Sequence, residues 1–599
     1  MIVLGCNGFS RSAEVFAEHY DAVGKEKHYG LGHDAGASLL IDGELVAAVE
    51  EERLNREKKT SDFPINSVKW VLDHAGVKFE DIDLIAIPWS FNEIVFNAAL
   101  FDLAMQPLAP LDKLGRLNKI GQLFVHVLGQ EAILADFAAR TGFTPDREKV
   151  VFVPHHLAHA TTGWYFAGMT DAAFLISDGR AELFSSVVGE IRDGKIKLFD
   201  DQMVTAHDSI GMLFSAITRF LGFVPNNDEY KVMGMAGYGK APSPNPFLEH
   251  IVKLEDSGRY TLCQQHDLEN PRSFEPLFEE HFGPFQDTLE YQSTVSAAAQ
   301  EMLLAVTNHQ LRALESKTDL PHLLFEGGVA LNCLNNTPLL EESRFEDMSV
   351  SFGASDTGIA IGAAVYAWVN DPAAEGKVKA PESVTPYLGP EYDEEAIEAT
   401  LREFTGKVEW TKLTDDEVVD RVAKLLTEKV IVGYFEGRME HGPRALGHRS
   451  ILANPSFSDI KDVINLRVKH REPFRPFAPL VLESDAAKVF ELGKKKSSPH
   501  MTFVFPVKEE YREKIQGAVH VDGTSRIQTL TDEETPRLAA LLRQFTSLTG
   551  VPCLINTSFN VAGEPIVCAP ADAVNCFLGT EIDYLLLGNH LVTKVAKTA

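Results

Sequence analysis

Ala37-Ser-Leu-Leu-Ile-Asp-Gly-Glu-Leu-Val-Ala-Ala-Val49 places two apolar runs on either side of Asp42-Gly43. Asp-Gly between strand-forming runs predicts a tight hairpin, because its two-residue turn needs positive φ at both central positions. The pattern returns further on. Ala173-Phe-Leu-Ile-Ser177 is an apolar strand ending at Asp178-Gly179, and Ser185–Ile191 and Lys195–Phe199 flank Asp193-Gly194. One unit of strand, polar loop and Asp-Gly hairpin decides little. Two, separated by helical material, predict an internally duplicated α/β fold.

Outward from these units, Ile2–Leu4 reads as a short strand, and residues 9–28 as a charged, partly helical insertion. Phe16, His19 and Tyr20 fall within one helical turn there. That segment is expected either as an aromatic wall beside a substrate or as a packed surface or dimer helix. Residues 292–316 are helical in pattern. Leu323–Phe325 leads into Glu326-Gly-Gly-Val-Ala-Leu-Asn332, and Ser351–Gly358 precedes a small-residue helix, Ile359–Val369. Residues 370–390 then hold four prolines. We therefore expect a first domain at 1–370, a linker at 371–390 and a second α/β domain at 391–599. In the second domain Thr414-Asp-Asp-Glu417 is a capping box before an amphipathic helix, and Val430–Phe435 and Val551–Ile555 read as buried strands. The duplicated actin/sugar-kinase/heat-shock ATPase architecture is the expected fold for the first domain, by fold-level analogy.

The chain has 599 residues, 86 acidic against 56 basic, for a net charge of −30. Such a surface disfavours nucleic acid unless one patch is locally basic. Hydrophobic residues make up 45 %, enough for large cores. Six scattered cysteines without a CxxC suggest a reducing compartment. The longest apolar run, Ile359–Val369, is too short for the ~20 residues of a membrane span. The expectation is a soluble cytoplasmic protein.

Three constellations carry chemistry. In Pro154-His-His-Leu-Ala-His-Ala160, His155 and His159 stand four apart, so on a helix both imidazoles share a face and could chelate one metal. A polar helix start after Pro154 is the plainer reading. Asp178 and Asp356 each end a strand before a glycine-containing turn, and a His₂Asp₂ shell suits iron, zinc or manganese. In the Glu326–Asn332 segment, Gly327 and Gly328 would allow a ligand close to the backbone, with Asn332 nearby, though paired glycines also serve packing. Gly234–Ala241 imitates a phosphate-binding P-loop but has Ala241 where Ser or Thr is needed. Third, residues 441–475 hold seven Arg or Lys against three acids, an inversion of sign in this acidic chain. Arg444, Arg449, Arg471 and Arg475 alternate with Gly, Pro and Phe. Rigid turns holding forked guanidiniums suit phosphate recognition, against the plainer reading of a solvated basic face. Arg526, Thr557 and Ser558 supply further donors.

Gly32-His-Asp-Ala-Gly36, Glu50-Glu-Glu-Arg53, the histidines at 155–159, Glu229–Gly234, Gly327–Asn332, Gly442-Pro-Arg-Ala-Leu-Gly-His-Arg-Ser450, Arg471–Pro479, His520–Thr529 and Asn556–Asn560 together resemble the NodU/CmcH O-carbamoyltransferases. The likeness runs through nearly the whole chain in order. It implies a TsaD-like first domain of actin/sugar-kinase type and a YrdC-like second domain. The second would make carbamoyl adenylate from carbamoyl phosphate and ATP with Mg²⁺. The first would pass the carbamoyl group to a hydroxyl of a sugar, antibiotic or other natural product. Carried over by motif, His155, His159, Asp178 and Asp356 would ligate a metal, ferrous iron by preference. His33 and Asp34 would lie near the acceptor, either of them as the general base, with Arg444 and Arg449 catalytic in the second domain. Gly327, Gly328, Asn332, Lys469, Arg471, Arg475, Arg526, Thr557, Ser558 and Asn560 would bind substrate or nucleotide. Either Lys58 or Lys59 would be the family's basic residue after the Glu-Glu-Arg motif. A tRNA threonylcarbamoyl-transferring enzyme shares both domain types, but the acidic balance argues against tRNA. A non-enzymatic ATPase-fold module is the other alternative. A homodimer is compatible with the reading.

Overall fold

A computed structural model describes residues 1–20, 30–105, 108–263, 271–374 and 384–595. Residues 21–29 of the early insertion and 375–383 of the expected linker thus lie outside the described residues. Two compact units are present, Met1–Val384 and Thr385–Ala599. The last part of the expected linker, from Thr385, packs into the second unit: Tyr387 is buried, and the Tyr387 hydroxyl donates to the Leu446 carbonyl.

The first unit holds two large sheets with one strand order, and a separate antiparallel pair, Val252–Leu254 and Tyr260–Leu262. In the first, β1 (Ile2–Asn7), β2 (Gly36–Ile41), β3 (Glu44–Glu50), β4 (Leu84–Ile87) and β5 (Val150–Phe152) run in the order β3-β2-β1-β4-β5. In the second, β6 (Ala172–Ser177), β7 (Phe184–Arg192), β8 (Lys195–Leu198), β9 (His322–Glu326) and β10 (Asp347–Ser349) repeat it as β8-β7-β6-β9-β10, with one further short strand paired to β7. In each large sheet the first three strands are antiparallel and the next two are added parallel. The two Asp-Gly turns have the expected backbone, with φ of 51° and 89° at Asp42 and Gly43, and 50° and 73° at Asp193 and Gly194. The duplication read from the hairpins is therefore present as topology.

Two buried helices lie between the sheets. Ile359–Val369, apolar on all sides, rests on the first sheet, where the Ser38 hydroxyl donates to the Ala360 carbonyl at 3.0 Å. His155–Ala167 rests on β9, and Gly163 sits so close that a Cβ there would meet the Glu326 side chain at 2.7 Å. The helices touch through Gly362, whose carbonyl accepts from the Thr161 hydroxyl at 2.7 Å. Such a close crossing needs glycine.

The insertion begins with a helix, Ser12–Tyr20. Its Val15 and Phe16 are both 1 % exposed, and the Arg180 guanidinium lies over the Phe16 ring. Phe16 is thus part of the core rather than an aromatic wall.

The second unit is built on one eight-stranded mixed sheet, with a separate antiparallel pair, Val504–Pro506 and Thr524–Arg526. The order in the large sheet is Val408–Lys412, His590–Lys594, Tyr584–Leu587, Ile431–Phe435, Arg449–Ala453, Cys553–Ser558, Ala478–Leu482, Gln528–Leu530. The Thr414–Glu417 capping box forms as read. Among the described residues no helix is long and apolar enough to cross a membrane.

Candidate functional site: a histidine–aspartate cluster and a buried lysine cluster

The strand and helix ends of the first unit converge on four side chains. His155 opens its helix, where the Glu182 carboxylate accepts from the His155 N–H at 3.1 Å. His159 follows one turn on. Asp178 follows β6 directly, and Asp356 lies just before the helix Ile359–Val369. All four are buried, and one ligand atom from each lies within 4.8 Å of the others. His155 Nε2 is 3.3 Å from Asp178 Oδ2 and 3.5 Å from Asp356 Oδ1; His159 Nε2 is 3.9 and 3.5 Å from the same atoms. His155 Nδ1 faces the Pro88 carbonyl at 3.3 Å, and the Trp89 ring stacks on its imidazole at 4.0 Å. These contacts orient Nε2 into the cluster, as supporting partners do for a ligating histidine.

The cluster is built for positive charge. Burial lowers the His155 pKa, but Asp356 and Asp178 outweigh it and carry it to about 10. Burial and Asp356 would raise Asp178; the two imidazoles bring it down to about 2. Asp356 is held well below the usual carboxylate range, with burial overcome by His155 and His33. Both ring nitrogens of His159 are buried without a hydrogen-bond partner. An orphaned buried polar group costs about 1–3 kcal/mol. Ligating a cation would satisfy it, so two carboxylates and two imidazoles, one of them orphaned, fit a divalent metal.

His33 stands at the rim. Its Nδ1 is 3.0 Å from Asp34 Oδ2, and its Nε2 is 3.8 Å from Asp356 Oδ2. Lys59 Nζ is 3.6 Å from the same Asp34 oxygen and donates to the Asn226 carbonyl at 2.6 Å. Of the two lysines left open by the sequence, Lys59 therefore faces the cluster. Burial would raise Asp34, but Lys59 and His33 bring it to about 2. Asp34 and Lys59 both take left-handed backbone, φ 54° each, uncommon without glycine and typical of functional sites.

The glycine pair lies against this cluster. Gly327 has φ 94°, and a Cβ there would lie 2.2 Å from the Ser177 carbonyl oxygen. The Gly328 N–H donates to Asp178 Oδ1 at 2.8 Å, fixing that carboxylate. The Asn332 side chain caps the next helix and exchanges amide hydrogen bonds with Gln300.

In the second unit the expected residues divide. Lys469, 2 % exposed, donates to Ser558 Oγ at 3.2 Å and to Asn560 Oδ1 and its carbonyl at 2.8 and 3.0 Å. Lys469, Ser558 and Asn560 thus form one buried cluster at the end of the strand Cys553–Ser558, in which Thr557 pairs with Ile451. Arg449 is a correction. It is fully buried, and its guanidinium donates to the carbonyls of Glu436, His448, Pro390, Gly437 and Cys568, with its carbon 3.6 Å from the Phe435 ring centroid. Its donors are taken by backbone, so it ties four chain segments together instead of gripping phosphate. Arg471 donates to Asn465 and lies over Phe477, and Arg475 pairs with Glu472 at 3.7 Å. Arg444 is half-buried in the turn before Arg449. Arg526 ends a strand near His520; burial, opposed by Asp522 and aided by Arg526 and Lys461, lowers the His520 pKa to about 4. Sequence reasoning missed Glu440. Its buried carboxylate accepts from the N–H groups of Leu446, His448 and Arg449 and shapes the whole 441–449 turn.

A duplicated α/β unit bearing a buried His₂Asp₂ cluster is followed by a mixed-sheet unit bearing a buried lysine cluster. Residues 27–365 match the carbamoyltransferase N-terminus model and 423–594 the carbamoyltransferase C-terminus model, so the chain belongs to the carbamoyltransferase family. It is 36 % identical to the nodulation protein NolNO of Sinorhizobium fredii, over 94 % of this chain and 79 % of that protein. An uncharacterized protein of Synechocystis is 33 % identical over 94 % of this chain and 96 % of its own. Full-length HypF in its phosphate- and nucleotide-bound form superposes with a TM-score of 0.33 at 12 % identity, covering 62 % of this chain and 56 % of that one. The chain is a carbamoyltransferase of the NodU/NolO type.

Proposed function

We propose an ATP-dependent O-carbamoyltransferase that works in two steps. In the second unit, read as YrdC-like, carbamoyl phosphate, ATP and water yield carbamoyl adenylate, phosphate and pyrophosphate, with Mg²⁺ accompanying ATP. Lys469 would offset phosphate charge from within the Ser558–Asn560 cluster, helped by Arg444, Arg475 and Arg526. In the first unit the acceptor hydroxyl oxygen would attack the carbamoyl carbon and AMP would leave. The acceptor class is a hydroxylated sugar, antibiotic core or related small molecule.

The observation that carries this reading is the buried His155–His159–Asp178–Asp356 cluster. Those four residues would hold a divalent metal, ferrous iron by family resemblance, which supplies Lewis-acid polarisation of a carbonyl oxygen. His33, at the partly open rim, is the base that would take the hydroxyl proton on Nε2. Asp34 holds its other ring nitrogen and so fixes the tautomer. At about 2, Asp34 is itself too weak a base for that role. Lys59 keeps Asp34 charged. The test is incubation with ATP, Mg²⁺, carbamoyl phosphate and a panel of hydroxylated sugars and antibiotic cores, read by mass spectrometry. A mass gain of one carbamoyl group, dependent on both ATP and carbamoyl phosphate, is expected. No gain on any acceptor, with carbamoyl phosphate also left intact, would reject the reading.

A further inference from the structure

β1 lies between β2 and β4, and its last residue, Asn7, bridges the loops of both neighbours. Asn7 pairs with Gly36 at the start of β2, and Trp89 stands two residues beyond the end of β4. Asn7 and Trp89 are each 1 % exposed. On one side the Trp89 Nε1–H donates to Asn7 Oδ1 at 3.0 Å. On the other, Asn7 Nδ2 donates to the His33 carbonyl at 3.2 Å and, more weakly, to the Asp34 carbonyl at 3.5 Å. An indole N–H can only donate and a carbonyl can only accept. The side chain between them must therefore accept on one side and donate on the other. A carboxylate does only the first, an aliphatic group does neither, and an amide does both. Those partners also fix which way the amide faces.

The two ends of this bridge are the two halves of the site. The Trp89 ring stacks on the His155 imidazole at 4.0 Å, with the Phe9 ring edge-on to the indole at 6.1 Å. The His33 stretch is irregular backbone, with φ of 79° at Gly32 and 54° at Asp34, so it needs holding from outside. The Ala35 N–H donates to the Thr60 carbonyl at 3.1 Å, and Asn7 supplies the matching hold on the carbonyls. We propose that Asn7 is a positioning residue that sets His33 against His155 through one amide. This role rests on the reading of His33 and the cluster given above. The base and the cluster can act on one substrate only when both are held to within about 0.5 Å. A misplacement of about 1 Å can cost on the order of 100-fold in rate.

Asn7→Ala and Trp89→Phe, singly and together in the full chain, test it. Trp89→Phe keeps a ring on His155 and removes only the donor to Asn7, so it serves alone if Asn7→Ala loses its circular dichroism. Two quantities are read: Co²⁺ affinity by titration of metal-free protein, and kcat and acceptor KM for transfer from supplied carbamoyl adenylate. Asn7→Ala should weaken Co²⁺ binding about tenfold, the lower end of the ~10–100-fold seen when a ligating histidine loses its support. At saturating metal it should lower transfer kcat at least ~10-fold while acceptor KM stays within about twofold, a split that a general loosening of the fold would not give. Trp89→Phe should also weaken Co²⁺ binding and lower kcat. The double variant should be no worse than Asn7→Ala, because without the amide the indole N–H has already lost its partner. Unchanged Co²⁺ affinity or unchanged kcat in a folded single variant, or losses that multiply in the double variant, would overturn the proposal. A wild type that carbamoylates no acceptor would reject the proposed reaction, and the Co²⁺ titrations would still decide the link from Asn7 through Trp89 to His155.

Discussion

Arg449 and Lys469 are both buried bases of the second unit, and their partners give them different work. Five carbonyls surround the Arg449 guanidinium. A planar fork can serve several of them at once and an ammonium cannot. Arg449→Lys is expected to cost about 3 kcal/mol, the scale for breaking up a buried charged group's hydrogen bonds. It should lower Tm, while activity per folded molecule stays near wild type; calorimetry beside an activity assay separates the two. Lys469→Met should lower adenylate formation per folded molecule by at least ~100-fold, and it should lower Tm as well, because Ser558 and Asn560 oxygens lose their donor. Glu326 gives a pH prediction. It is fully buried, bonded to the Ser351 N–H and hydroxyl, and burial pushes it up to about 8. The folded state thus binds a proton that the unfolded chain releases near pH 4.5. Stability must fall as pH rises from about 4.5 to 8 and level off above. Glu326→Gln should flatten that slope and raise Tm at pH 8 relative to wild type, with the two curves converging near pH 5. Parallel curves at all pH values would show that Glu326 is ionised in the fold.

At the scale of elements, the contact between the helices His155–Ala167 and Ile359–Val369 sets the metal cluster, since His155, His159 and Asp356 ride on their starts. A Cβ on Gly362 would lie 1.9 Å from the Ala158 carbonyl oxygen and 2.2 Å from Thr162 Oγ1. Gly362→Ala should therefore separate the helices, lower Tm by several degrees and reduce bound metal measured after purification; full metal content would show that the cluster tolerates the shift. This scale also shows what the sequence made legible. The hairpins could be read because Asp-Gly turns demand positive φ, a local property. The His155–His159 pair could be read because four residues is one helical turn. Asp178 and Asp356 were suggested only by their strand-end positions and the family motifs. The role of Arg449 could not be read, because its partners at 390, 436 and 568 come from distant segments. Neither could the choice of Lys59 over Lys58, which turns on one left-handed backbone position, nor the burial of Phe16, since a helical pattern gives a face but not its neighbour.

At the scale of the molecule, two separate sites carry the proposed reaction, one in each compact unit. The residues of the His₂Asp₂ cluster all lie before residue 384 and those of the lysine cluster all after it. The two half-reactions should therefore separate by mutation. The most direct measurement is exchange of labelled pyrophosphate into ATP, dependent on carbamoyl phosphate, in wild type, His155→Ala and Lys469→Met, with metal content and acceptor carbamoylation read on the same preparations. The account predicts that His155→Ala loses metal and carbamoylation yet keeps exchange, and that Lys469→Met loses exchange yet keeps metal. Loss of exchange in folded His155→Ala, or full exchange in Lys469→Met, would contradict it.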